Sequence, residues 1–330
     1  MKPRVVSGMR PTGKLHLGHL VGALENWAAM QDEYDCFYFV ADWHALTSDY
    51  ADTSQIVPSA YDMAADWIAA GLDPAQSTLF VQSMVPEHAE LNLLLSMTIP
   101  IPWLERVPTY KEQMEQLSEK DLSTVGFLGY PLLQTADIII YNAHYVPVGD
   151  DQVPHLELSR EIVRRFHNFF GELFVEPMPK LTKVPRLPGL DNRKMSKSYN
   201  NTINLSDDAE TVRKKVMQMY TDPKRVRADI PGTVEGNPVF IYHDAFHPDK
   251  AEVEDLKARY RAGKVGDVEV KTKLAKALNA HLDPLRARRA AVLEHPSTLR
   301  DILHEGSRKA RAIAGETMER VRAAVKLKYN

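Results

Sequence analysis

Apolar residues in the first 200 positions follow two alternating patterns. Short unbroken runs, such as Val5-Val6 and Cys36-Phe37-Tyr38-Phe39-Val40, predict strands at 4–8, 36–41, 78–82 and 144–148. Between them the apolar residues recur every three or four positions. Leu17, Leu20, Val21, Leu24 and Trp27 fall on one helix face, and similar stretches predict helices at 16–31, 57–70, 131–142 and 151–166. This alternation predicts an α/β fold, a doubly wound parallel sheet whose ligand crevice lies at the carboxyl ends of the strands.

Two departures mark the organisation. Residues 85–130 break the alternation with helix-like segments and loops, including Thr98-Ile99-Pro100-Ile101-Pro102-Trp103, and read as a helical insertion. From Asp207 onward Ala, Lys, Arg, Leu and Glu dominate, apart from a loop-rich patch near Asp229 to Pro238, so helices are expected there. Two domains follow, 1–205 and a mostly helical 206–330. Neither repeats nor low-complexity segments interrupt them.

Composition is compatible: 330 residues, 44% hydrophobic and 26% charged, are enough to bury a sizeable core. The opening Met1-Lys2-Pro3-Arg4-Val5-Val6 holds no signal-peptide stretch, and no later run approaches a membrane span, so a cytoplasmic protein without membrane attachment is expected. The single cysteine, Cys36, excludes an internal disulfide and reads as a buried strand residue. Asn200-Asn201-Thr202 fits a glycosylation sequon, without meaning in that compartment.

Net charge is only −3, but it is unevenly spread. From Lys257 onward there are 18 Lys+Arg against 8 Asp+Glu, a balance of +10; the remainder holds 23 against 36, or −13. Such a basic segment is the footprint of a polyanion-binding surface or the solvated face of a helical bundle. Arg286, Arg289, Lys309 and Arg311 are the candidate phosphate contacts.

Three segments carry candidate chemistry. In Thr12-Gly13-Lys14-Leu15-His16-Leu17-Gly18-His19 the histidines open a helix, where unpaired amides and the helix dipole favour an anion and imidazoles can donate to phosphate. His-x-x-His could also hold a metal, but no Cys pair or His-Glu-x-x-His helix accompanies it. Lys194-Met195-Ser196-Lys197-Ser198, flanked by Gly189, Asp191 and Asn192, is a cationic loop. Finally Tyr130, Gln134 and Asp137 fall near one helix face, and Asp137 directly precedes an apolar run. Its carboxylate is expected to be buried and to need a donor, whether from a ligand, a salt bridge or a helix cap.

His-Leu-Gly-His followed by an unaltered Lys-Met-Ser-Lys-Ser resembles the HIGH and KMSKS signatures of class I aminoacyl-tRNA synthetases. Tyr130-Pro131 with Asp137, then Val146-Pro147-Val148-Gly149-Asp150-Asp151-Gln152, resembles the tryptophanyl branch, with likeness over nearly the whole chain. The resemblance implies a Rossmann-like catalytic domain and a helical anticodon-binding domain, and activation of tryptophan with ATP and Mg2+ before transfer to tRNA(Trp). Gly8, Thr12, His16, Gly18 and His19 map to the adenylate site, and Lys194, Ser196 and Lys197 to pyrophosphate contacts. Lys111 takes the place of a further phosphate lysine. Asp137 would accept the indole N–H, which only donates. Tyr130 and Gln152 would hold the amino group, and Val146 and Val148 would line the ring pocket. The resemblance also implies a homodimer with one tRNA spanning both subunits.

The chain departs from that family's pattern at Arg10 and Gln134, where some members carry Gln and Met. Another subset carries a four-iron cluster on four cysteines. The corresponding places here hold Asn237, Tyr260, Asp267 and Val270, which supply no thiolate, so no iron–sulfur cluster is expected. A tyrosyl enzyme would place a Tyr at Val6 to meet the phenol hydroxyl. A non-catalytic RNA-binding relative, or a small-molecule nucleotidyltransferase sharing the His-x-Gly-His turn, would not need both signatures together with the basic segment.

Overall fold

The structure, a computed structural model, describes residues 2–107, 122–149, 152–181, 187–196 and 199–329. Lys111, Lys197 and the Asp150-Asp151 pair therefore lie outside the described residues. The strands are β1 (Arg4–Met9), β2 (Asp35–Val40), β3 (Ser77–Val81), β4 (Tyr145–Val148) and β5 (Met178–Leu181). The first helix, α1, runs through Leu17–His19, a π turn at Leu20–Leu24, and Glu25–Met30. It is followed by α2 (Asp42–Asp49), α3 (Ile56–Ala69), α4 (Glu87–Ser96), α5 (Ile101–Glu105), α6 (Val125–Leu128), α7 (Tyr130–Ile139) and α8 (Val153–Phe170). Then come α9 (Ala209–Met217), α10 (Pro238–Phe246), α11 (Lys250–Arg261), α12 (Asp267–Leu293) and α13 (Pro296–Ala324). Among the described residues no helix is long and apolar enough to cross a membrane.

The chain forms two compact units. The first comprises Met1–Gly13, Asn26–Lys183 and Val292–Asn330; the second, Lys14–Glu25 and Val184–Ala291. This division differs from a single cut at 205, because α13 packs onto the sheet of the first unit and the start of α1 groups with the second.

In the first unit the five strands are parallel, in the order β3-β2-β1-β4-β5, with Val5 opposite Cys36 and Tyr145, and Cys36 opposite Ser77. The central strands are covered on both faces, which is why Cys36–Val40 is apolar throughout; Cys36 itself is fully buried. β5, Met-Pro-Lys-Leu, has exposed end residues and lies at an edge, so apolar patterning does not predict it. The core joins Val6, Phe37, Phe80 and Tyr141 to Ala310, Ala314, Met318 and Val321 of α13. Gly306 is what lets α13 approach: a Cβ there would lie 1.9 Å from the Leu79 carbonyl oxygen. The next residue, Ser307, accepts a hydrogen bond from the Val81 amide at 3.1 Å. The helix thus closes the β3 edge.

The second unit is helical after its loops, as the composition predicts. Its organising charge is Arg225, whose side chain is fully buried. The guanidinium donates to Asp267 at 2.9 Å and to the carbonyls of Ile230, Ala228 and Val265, and lies 4.0 Å over the Tyr260 ring. Tyr260 donates to the other Asp267 oxygen at 2.8 Å; burial and that bond push its hydroxyl up to about 12, so it stays a donor. Asn237 caps α10 through the Val239 amide, and the Val270 carbonyl pairs with His243 Nε2. Asn237, Tyr260, Asp267 and Val270 thus all have defined contacts in this unit. Arg225→Met is expected to lower the stability of the second unit by about 3–5 kcal/mol, because it leaves a carboxylate and three carbonyls short of a donor. Urea unfolding followed in the helical far-ultraviolet signal checks this; a loss below about 1 kcal/mol would assign the network a minor part.

Candidate active site

The first unit carries a polar cluster built on Asp137. Tyr130 and Asp137 lie seven residues apart on α7, two turns along the same face. Asp137 is 1% exposed, matching the expected burial, and its partners come from three separate elements. Gln82, directly after β3, donates to both carboxylate oxygens at 2.8 and 2.9 Å. His44 of α2, just past β2, lies 2.7 Å from Oδ2, and His88 of α4 lies 2.5 Å from Oδ1. Burial alone would raise this carboxyl, but the hydrogen bonds of His44 and His88 outweigh it and hold the group at about 2. With Nδ1 donating to the carboxylate, His88 Nε2 can accept from the Tyr141 hydroxyl at 2.6 Å. Burial first, then the nearby Asp137 charge, keep Tyr141 protonated. Each carboxylate oxygen thus meets two contacts, Gln82 with His88 at Oδ1 and Gln82 with His44 at Oδ2, the Gln82 nitrogen being shared between them.

The other predicted residues of this unit sit near the same end of the sheet. Val146 and Val148, two apart on β4, share a face and are buried in the core that contains Tyr141. Gln152 stands at the N-cap of α8, and the half-buried Tyr130 hydroxyl lies 3.4 Å from His155 Nε2. Gly8 lies on β1 where a Cβ would enter the Phe39 ring, so any side chain there would have to displace that buried ring. Thr12 follows on an exposed turn whose amide bonds the Arg10 carbonyl at 2.9 Å. Arg10 pairs with Ser48 and, at 3.9 Å, with Asp49.

The second unit gathers the histidine and lysine signatures. His16 is the N-cap of α1: its Nδ1 accepts from the Gly18 amide at 3.2 Å, while His19 Nδ1 accepts from the His16 amide at 3.2 Å. The rings lie 3.8 Å apart. The amides of Leu17, His19 and Leu20 bond the carbonyls of Ile203, His16 and His16. This differs from the expected bare helix terminus: the first amides are taken, and anion-binding capacity passes to the imidazoles. Since both Nδ1 atoms accept, each ring carries its proton on Nε2, a donor.

Gly18 keeps the lysine segment close, for a Cβ there would meet the His16 ring at 3.0 Å and Met195 Sδ at 3.1 Å. The segment's stem is set by Asn201, which is 3% exposed. Asn201 Oδ1 accepts from the Ser196 amide at 2.9 Å, and its Nδ2 donates to Asp191 at 2.8 Å and the Lys194 carbonyl at 3.1 Å. Gly189 leaves room for it: a Cβ would stand 2.1 Å from Asn201 Nδ2. Lys194 itself is exposed. Asn201 is therefore a structural clamp on this segment. Two of the candidate phosphate contacts are also engaged within the chain: Arg286 bonds the Asp207 carbonyl and Asp283, and Arg311 bonds Glu87.

The family described as class I tRNA synthetases (W and Y) matches residues 1–283. The chain is 50% identical over 327 residues to the tryptophan–tRNA ligase of Thermotoga maritima, covering 99% of this chain and 100% of that one. It is 48% identical over 327 residues to that of Treponema pallidum, covering 98% and 97%. Among solved structures, the tryptophanyl-tRNA synthetase of Campylobacter jejuni complexed with ADP and tryptophan superposes with a TM-score of 0.88 at 33% identity, over 98% of this chain and 99% of that one.

Proposed function

The chain belongs to the class I tRNA synthetases of the tryptophan and tyrosine group, and from that membership we propose that it activates L-tryptophan with ATP and transfers it to tRNA(Trp). It is an ATP-dependent aminoacyl-tRNA ligase. The observation that carries the choice of amino acid is the buried, ionised Asp137 on α7, the acceptor-only group at the centre of the polar cluster. An indole N–H only donates, and a carboxylate only accepts. A phenol would need a second hydrogen-bonding group, and Val6 is fully buried without one.

In this reading the first unit holds tryptophan: Asp137 takes the indole N–H, Val146 and Val148 flank the ring, and Tyr130 and Gln152 hold the amino group. ATP enters as its Mg2+ complex. Gly8 and Thr12 serve the adenylate, as do His16, Gly18 and His19. Lys194 and Lys197, with Lys111, neutralise the departing pyrophosphate, and Ser196 contacts it. The tryptophan carboxylate attacks the α-phosphorus, the bond to the β-phosphate oxygen breaks, and pyrophosphate leaves; the acyl group then passes from the adenylate to a terminal ribose hydroxyl of the tRNA. No enzyme nucleophile is required, so rate comes from positioning and electrostatic stabilisation. The Nε2–H groups of His16 and His19 suit phosphate oxygens, and the exposed Lys194 suits charge that develops late. We assign tRNA binding to the basic residues beyond 256 and a cytoplasmic homodimer as the working assembly.

Amino-acid-dependent exchange of labelled pyrophosphate into ATP tests this directly. Among twenty amino acids tryptophan alone should support exchange; a response to tyrosine, or to none, defeats the assignment.

A further inference from the structure

Asp137 is held by Gln82 and His88, and both of those residues sit on elements braced by α13. Gln82 follows Val81 directly, and the Val81 amide donates to Ser307 Oγ at 3.1 Å. Ser307 is 2% exposed, and its hydroxyl proton goes to the Leu303 carbonyl at 2.7 Å, so the oxygen is oriented as an acceptor. Gly306 lies against the Leu79 carbonyl, two residues earlier on the same edge. His88 lies on α4 between Glu87 and Glu90. Glu87 accepts from Arg311 at 3.0 Å, and Glu90 receives a two-pronged bond from Arg322 at 2.7 and 2.5 Å. Residues 307, 311 and 322 are four and eleven apart, which puts them on one face of α13.

We propose that α13 sets tryptophan selectivity at a distance, with Ser307 and Gly306 as positioning residues for Gln82 and the Arg311 and Arg322 pairs as positioning residues for His88. This rests on Asp137 being the indole acceptor. The physical argument is leverage: a carboxylate whose two oxygens are each held by two contacts keeps its orientation toward a ligand only while those donors stay fixed. Gln82 reaches both oxygens through one nitrogen, so a small displacement of the end of β3 rotates the carboxylate. Loss of the Ser307 hydroxyl also leaves the Val81 amide without its acceptor, which favours such a displacement.

The test compares tryptophan with its benzothiophene analogue, in which sulfur replaces the indole N–H, using pyrophosphate exchange by the full chain. Ser307→Ala should reduce the tryptophan-to-analogue ratio of kcat/KM about tenfold, mainly through KM for tryptophan, while KM for ATP stays within about twofold. Gly306→Ala should act in the same direction. Arg322→Gln, which releases α4 without touching β3, should also lower the ratio and serves as the deciding variant if the first two do not fold. A ratio unchanged from wild type in the folded variants overturns the proposal. Failure of the wild-type chain to use tryptophan at all would instead overturn the assignment of Asp137 on which it stands.

Discussion

Asp137→Ala is expected to abolish discrimination for the indole N–H and to weaken tryptophan binding by about 2–4 kcal/mol, roughly 30- to 1,000-fold, because a charge-assisted hydrogen bond in a dry pocket is lost. Binding of tryptophan and its benzothiophene analogue, measured by calorimetry, separates this from general damage: the mutant should bind the two alike. Unchanged tryptophan affinity would return Asp137 to a purely structural role. The pH dependence has a definite sign. The folded carboxyl titrates at about 2, below its unfolded value near 4, so the stability it contributes is complete above that unfolded value and is lost as pH falls toward 2. Tryptophan recognition through this group should therefore stay flat from about pH 5 upward.

Lys194→Ala and Lys197→Ala are expected to slow adenylate formation by about 10²- to 10³-fold while changing tryptophan affinity little, since an ammonium that meets charge developing on pyrophosphate acts in the transition state. Rapid-quench measurement of adenylate formation beside equilibrium tryptophan binding tests the split. Equal losses in both would mean that the loop shapes the ground-state pocket instead. Asn201 offers an internal comparison, because it holds Ser196 and Lys194 by their backbones and carries no charge.

Much of this was legible in residue order. Val5-Val6 and Cys36–Val40 are strands because a two-faced sheet demands apolar runs, and the π-interrupted α1 still shows its buried Leu17, Leu20, Leu24 and Trp27. Asp137 declared itself by preceding Ile138-Ile139-Ile140 on a helix. β5 and α2 were not legible: one is a four-residue exposed edge, the other a short helix of weak amphipathicity. His44, Gln82 and His88 were missed for a different reason. They are 93, 55 and 49 residues from Asp137; the parallel register of β2 and β3 brings His44 and Gln82 to it, and the packing of α4 against α7 brings His88. The usable signal was positional: His44 and Gln82 are polar groups close behind a strand's carboxyl end, where doubly wound sheets bind ligands. The basic segment misled in part, since Arg286 and Arg311 are engaged within the chain, and reversing either charge disturbs local structure before it reports on RNA.

The closing of the β3 edge by α13 also bears on how the protein is made. All five strands leave the ribosome before α13 does, so a growing chain carries Ser77-Thr-Leu-Phe-Val81 with the Leu79 carbonyl and Val81 amide open to any strand that passes. On a polysome the nearest such strand belongs to a neighbouring copy, and edge-to-edge pairing is a route into aggregates. Docking of α13 late in synthesis removes that template and braces the tryptophan cluster in one event. A nascent chain thus carries its open edge until α13 reaches the sheet.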